Sequence, residues 1–208
     1  MVASPLLARM PWWTPGLASA ALIALWLPGA ADVLVYDRTG VAGGEVWRII
    51  TGHLVHFSAA HLLNNLAVLV PAVWLVETRY RRDAGLLFLG AAATIGIALL
   101  VCEPRLLQFG GASGICLAFL VYACLRGLHE GHRWRTVCMV MLVIMGAKFA
   151  AEFAGWHFRD WQANEGFVPV MLSHVVGAAT GGAVYVWRVS GRVDFFRRTV
   201  TGHQECKG

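Results

Sequence analysis

Charge is scarce in this chain. Asp, Glu, Lys and Arg make up 14% of its 208 residues against 58% hydrophobic, and the mean hydropathy is +0.61. Such a composition excludes an ordinary soluble domain and marks an integral membrane protein. Cysteine offers little framework: Cys102, Cys116, Cys124, Cys138 and Cys206 are odd in number, form no CxxC pair and sit mostly in apolar runs, so they read as packing residues. No HExxH is present, and His53, His56 and His61 do not recur on a second helix in haem-like pairing, so neither metal nor organic cofactor is expected. There is no soluble domain, no low-complexity linker and no pair of inverted halves of the kind transporters carry.

What is present is a series of six apolar segments, near residues 17–35, 62–76, 86–101, 112–125, 137–153 and 168–187. They predict an all-α membrane protein with six transmembrane helices over residues 1–190 and a short basic tail over 191–208. The first segment can also be read as a signal peptide, since Arg9 precedes it and Pro28 to Ala31 end it. Twelve Lys and Arg residues fall on alternate loops beginning with the N-terminus, and four on the other side: Arg38, Arg48, Arg105 and Arg159. The positive-inside rule then puts both termini in the cytoplasm. The net charge of +5 is thus an orientation signal that touches anionic lipid, and no nucleic-acid partner is expected.

Helical rise converts distance from a cytoplasmic Arg into depth. Ser113 before Arg126, His174 before Arg188 and Asn65 before Arg79 all come out at about 20 Å from the inner surface. His61 lies on the Asn65 face, one turn nearer the outside. Polar side chains from three helices at one level in a hydrocarbon core are costly and point to a functional site. The segment "LLQFGGASGICLAF", Leu106 to Phe119, explains how a serine gets there. The fourth helix is too short to span, so it starts inside the membrane, fed by irregular backbone from Glu103 and Pro104 that protein or water must shelter. Gly110, Gly111 and Gly114 permit the tight turn, and the helix start leaves free N–H donors beside Ser113.

A serine beside an imidazole, with donors for an oxyanion, is the equipment of acyl transfer. Ser113 is expected to attack and His174 to act as base, then acid. Asn65, His61 and the backbone N–H groups of Ser113 and Ala112 would hold the oxyanion. No Asp or Glu lies between Glu165 and Asp194, so the reading is a dyad. His174, Gly177 and Gly181 share one helix face and Gly114 and Ala118 follow Ser113, small residues that let membrane helices approach. Taken singly, each polar residue has a structural alternative: a histidine bonding a carbonyl, an asparagine joining helices, a serine capping a helix.

At these residues the sequence resembles the rhomboid family of intramembrane serine proteases. "EVWRIITGHLVHFSAAHLLNN", Glu45 to Asn65, is similar to its Trp-Arg loop and His-x-x-x-Asn motif, "GASG" to its Gly-x-Ser-Gly, and "SHVVGAATG" to its His-x-x-Gly-x-x-x-Gly. The resemblance implies a six-helix rhomboid fold with Ser113 as nucleophile, His174 as base and His61 and Asn65 in the oxyanion region. Where many members carry a tyrosine four residues after the serine, this chain has Leu117. The compact length, "VPVMLSH" before the last helix and a charged pair in the fifth look most like rhombosortases. That likeness implies a bacterial inner-membrane enzyme, open to the periplasmic side, that acts on exported proteins with a C-terminal Gly-Gly motif, transmembrane segment and basic tail. The acyl acceptor is either water or an amine. A non-catalytic rhomboid-like binder of membrane clients is the rival reading.

Lys148 and Glu152 stand at i and i+4 in the fifth segment, with Lys148 near the level of Ser113. They are either an ion pair that offsets its own burial or a substrate or acceptor site. Glu77 and Arg79 resemble a rhomboid surface ion-pair pattern that ties helices together.

Overall fold

The computed structural model describes residues 12–154 and 170–202, with the backbone alone for Glu152 and residues 191–202. Arg9, Arg159, Val168, Pro169, Cys206 and Lys207 lie outside the described residues. In chain order the elements are α1 (Trp13–Trp26), α2 (Ala30–Leu34), β1 (Tyr36–Asp37), α3 (Arg38–Ala42) and α4 (Arg48–Thr51). A 3-10 turn at Gly52–Leu54 leads to α5 (Ala59–Cys102), then β2 (Gln108–Phe109), α6 (Ser113–Gly127), α7 (His132–Phe153) and α8 (Met171–Gly202).

Three of the apolar segments depart from the sequence expectation. The first ends as a helix at Trp26, where Pro28 and the positive φ of Gly29 (77°) break it, and the rest becomes the short α2. The second and third join in α5, broken by one residue, Tyr80, at φ −137° and ψ 45°. The break gives α5 two arms, residues 59–79 and 81–102, so the described chain has six long helical segments. By length and composition, α5 and the 132–151 part of α7 are apolar and long enough to cross a membrane, while α1 and α6 are apolar but shorter. α8 continues as a helix through Gly202, into the stretch expected to be a tail.

α6 is the central rod, packed against α5, α7 and α8. Ile115, Ala118, Phe119 and Tyr122 on it are fully buried, and so are Leu87, Ala91, Ile95 and Leu99, one face of the second arm of α5 at four-residue spacing. The periphery is also apolar, with Trp26, Val101, Val143 and Trp187 among the exposed large side chains. A water-facing surface does not carry such a belt, whereas lipid accepts it.

Polar side chains tie the ends of the helices. Glu77, buried near the C-terminal end of the first arm, accepts from the N–H groups of Trp13 (2.8 Å) and Thr14 (3.0 Å) and from the Thr14 hydroxyl. It therefore caps α1, whose own N-cap residue supplies no side-chain acceptor. Arg79 turns elsewhere, pairing with Glu130 in the α6–α7 turn, where the Tyr80 hydroxyl also donates to Glu130 at 2.7 Å. The two residues thus tie separate helices instead of each other.

The Arg79 guanidinium holds the Glu130 carboxyl below its usual range. A depressed folded value means stabilisation present at neutral pH and lost as pH falls through it. Because Arg79 is exposed, less than about 1 kcal/mol is expected. Thermal midpoints of wild type and Glu130→Gln are predicted to differ by a few degrees at most near pH 7 and to converge in acid.

At the other end, Arg38 donates to the carbonyls of Leu99 (3.2 Å), Leu100 (2.7 Å), Glu103 (2.9 Å) and Leu106 (3.3 Å). One side chain thereby satisfies the last carbonyls of α5 and holds the irregular segment that follows. That segment pairs with β1 through Tyr36 opposite Phe109 and Asp37 opposite Gln108, and it delivers the chain to α6.

Candidate active site

The turn into α6 is built from two glycines. Gly111 has φ 129°, and a Cβ there would meet the His61 ring at 2.9 Å, so only glycine fits. Its N–H donates to the Gly52 carbonyl at 3.3 Å. Ala112 is the N-cap residue and contributes no side-chain acceptor, so α6 starts with its first donors uncapped. The first helical residue is Ser113, half-buried.

His174 comes from the first turn of α8. Its Nε2 lies 2.9 Å from Ser113 Oγ, hydrogen-bond distance between a hydroxyl and an imidazole. That approach is made possible by small residues along the α6–α8 contact. A Cβ on Gly177 would run into the Gly114 carbonyl, one on Gly181 into the Ala118 carbonyl, and one on Gly114 would stand 2.5 Å from the Ser173 carbonyl. Thr94 and Thr180 hydroxyls, 2.8 Å apart, join the second arm of α5 to α8 lower down.

His61 and Asn65 come from the start of α5. Ser58 caps this helix by accepting from the His61 N–H at 3.1 Å. His61 then lies with its ring against Gly111 on one side and edge-on to His56 on another, ring centroids 4.9 Å apart. Asn65 is buried one turn further in; its amide donates to the His61 carbonyl at 3.1 Å, and Cys116 of α6 packs at its backbone with Sγ 3.6 Å from the Asn65 carbonyl. Ser113, His174, His61 and the Gly111–Ala112 turn therefore gather at one end of α6, with Asn65 beside it. Lys148 is exposed on α7, and the Glu152 side chain lies outside the described residues. A shallow, open groove of about 480 Å³ lies between α7 and α8, lined by Phe149, Ala150, Phe153, Ala154, Met171 and Val175, the last two in the first turns of α8 with His174.

Several residues that build this site were not singled out from sequence. Ser58 had a readable signal, a serine three residues ahead of the position whose N–H it accepts. Arg38 reads from sequence only as an outer-side charge, since its carbonyl partners are more than sixty residues away. His53 is fully buried, with Nδ1 3.3 Å from the Gly111 carbonyl and Nε2 3.1 Å from the Ala92 carbonyl.

Chemically, the arrangement sets a hydroxyl against an imidazole nitrogen beside uncapped N–H groups, within a fold whose periphery is apolar. Comparison with known proteins agrees. Residues 43–192 match the Rhomboid domain family. The chain is also 32% identical over 126 residues to Rhomboid protease GluP of Bacillus subtilis (strain 168), a match covering 56% of this chain and 24% of that protein. It thus spans about a quarter of the relative's length. Since the domain match runs from the loop before α4 into α8 and takes in every residue of the Ser113 site, this membrane protein belongs to the rhomboid family.

Proposed function

We propose that the protein is an intramembrane serine endopeptidase working through a Ser113–His174 dyad. The observation that carries this reading is the 2.9 Å contact between Ser113 Oγ and His174 Nε2 at an uncapped helix start. Nε2 takes the hydroxyl proton as Oγ adds to a substrate carbonyl. The oxyanion is held by the N–H groups of Ala112 and Ser113, with Asn65 and His61 as side-chain donors. His174 then returns the proton to the leaving amine, and water entering from the outer side, or an amine acceptor, releases the acyl group.

The substrate is a membrane-anchored protein whose helix opens near its outer end, where Gly or Ala makes unwinding easier. Six spans with both termini cytoplasmic complete the reading, resting on the apolar segments and the distribution of Arg, and the bacterial inner-membrane site open to the periplasm rests on the sequence likeness to rhombosortases. Within the family, the sequence likeness to rhombosortases favours the C-terminal Gly-Gly-type sorting signal of an exported protein as target. Lys148, exposed on α7 with Glu152 one turn on, belongs in this scheme to the substrate or acceptor side.

The test is cleavage of a co-expressed transmembrane reporter bearing such a signal by wild type and by Ser113→Ala. Loss with normal expression supports the protease; unaltered processing rejects it in favour of a non-catalytic client binder. Asn65→Ala is expected to lower kcat on the order of 10²-fold with little change in KM, the usual cost of one oxyanion donor. Equal changes in kcat and thermal midpoint across Asn65→Ala, →Ser and →Asp would instead make it a packing residue.

A further inference from the structure

We infer that His53 is a positioning residue for the oxyanion donors, acting through a proton on Nδ1 that grips the Gly111 carbonyl. The inference rests on the protease reading above for its kinetic consequence, though not for its geometry. His53 is 1% exposed and lies between two carbonyl oxygens, Gly111 at 3.3 Å from Nδ1 and Ala92 at 3.1 Å from Nε2. Carbonyls only accept, and a neutral imidazole donates from one nitrogen alone, so only one of these contacts holds a proton.

The two carbonyls are not equivalent. Ala92 sits inside the second arm of α5, where the helix's own N–H ladder engages its oxygen. Gly111 precedes α6, is buried, and has no other donor to its oxygen among the described residues: the first bond of the helix, from the Cys116 N–H, goes to Ala112. Placing the proton on Nε2 would strand a buried carbonyl, which costs more than a bond is worth, whereas placing it on Nδ1 strands none. The Phe109 ring, edge-on to His53 at 5.4 Å between centroids, and burial on all sides leave the imidazole little room to turn away.

The consequence follows from peptide geometry. Every peptide bond described is trans, so the Gly111 C=O and Ala112 N–H point in opposite directions across one plane. Fixing the carbonyl on His53 turns the Ala112 N–H away from His53, while the Gly111 N–H is held by the Gly52 carbonyl and the Gly111 α-carbon stands against His61. Gly111 is thus clamped at its N–H, its carbonyl and its open face. A residue at φ 129° without a side chain has nothing of its own to hold that plane. Released, it would rotate and misdirect a donor that must be aimed before charge develops.

The experiment compares wild type with His53→Asn, His53→Gln and His53→Leu. An Asn amide reaches about as far as Nδ1 and a Gln amide about as far as Nε2, so the two variants keep one grip each. Cleavage kinetics of a transmembrane reporter, Ser113 labelling by a fluorophosphonate and thermal midpoints are measured together. His53→Asn is expected to hold kcat within about 3-fold of wild type, and His53→Gln and His53→Leu to lose on the order of 10²-fold with KM nearly constant. Equal activity in Asn and Gln, or losses that follow the midpoints alone, overturns the proposal. Independently of activity, 15N NMR of the histidine-labelled full chain should show the His53 proton on Nδ1; a proton on Nε2 overturns it even if the variants fail to fold. If wild type leaves every reporter intact while NMR finds the Nδ1 proton, the protease reading fails and the grip on Gly111 stands.

Discussion

Loss of His174 is expected to cost as much as loss of Ser113, and loss of both no more than either. The hydroxyl at 2.9 Å from Nε2 is a poor nucleophile until the imidazole takes its proton, and the imidazole has nothing to do without the hydroxyl. Groups acting as one unit are grossly non-additive, so Ser113→Ala, His174→Ala and the double variant should each fall by on the order of 10⁶-fold in kcat, to one common floor set by binding and the oxyanion donors. Single-turnover cleavage of a transmembrane reporter in liposomes measures this, and fluorophosphonate labelling of Ser113 should fall in His174→Ala by a similar factor. Activity above about a tenth of wild type in His174→Ala would move the base elsewhere. The candidate would then be His61, whose ring stands against Gly111 in the turn that leads into α6.

Much of this site is legible along the chain because membrane helices turn sequence distance into depth. Counting back from Arg126, Arg79 and Arg188 puts Ser113, Asn65 and His174 at one level, and folding brings Ser113 and His174 to hydrogen-bond distance. The short fourth segment likewise announces a helix starting within the fold, and α6 starts at Ser113 after an irregular run from Glu103. What the pattern of apolar runs does not carry is the punctuation by single residues. The first run is continuous in hydropathy, yet Pro28 and Gly29 end α1 at Trp26. The break at Tyr80 has no proline or glycine to mark it; it is held by long-range contacts of Arg79 and Tyr80 to Glu130. Glu77 and Arg79, two residues apart and opposite in charge, read as a pair, but Glu77 meets the start of α1 and Arg79 meets Glu130 in the α6–α7 turn. Arg38 and His53 act on carbonyls, and backbone oxygens have no signature in a sequence. A polar residue in an apolar chain can therefore be flagged, but its partner is found only once the helices are packed.

Substitution of Gly177 tests whether helix packing sets the distance between Ser113 and His174. Gly177 lies three residues after His174 on the face of α8 that meets α6, and its α-carbon approaches so closely that a Cβ would overlap the Gly114 carbonyl, with Gly114 immediately after Ser113. Backbone cannot yield as a flexible side chain can, so Gly177→Ala must push the two helices apart and Gly177→Val must push them further. Overpacking of this kind costs about 1–3 kcal/mol in stability. The kinetic loss is expected to be larger, because a displacement of about 1 Å at a reacting pair costs on the order of 10²-fold. Gly177→Val should therefore fall by 10²-fold or more in kcat, with Gly177→Ala between it and wild type. The control is Gly182, on the same helix, where a Cβ would meet nothing within 4 Å. Gly182→Ala should keep full activity and gain up to about 1 kcal/mol, since alanine loses less conformational freedom on entering a helix. Cleavage rates and thermal midpoints of the three variants separate the effects: a Gly177 series that loses activity while its midpoint drops only modestly places the cost in the geometry of the dyad. If Gly177→Ala behaves like Gly182→Ala, the close approach at Gly114 is not what brings the imidazole to the hydroxyl.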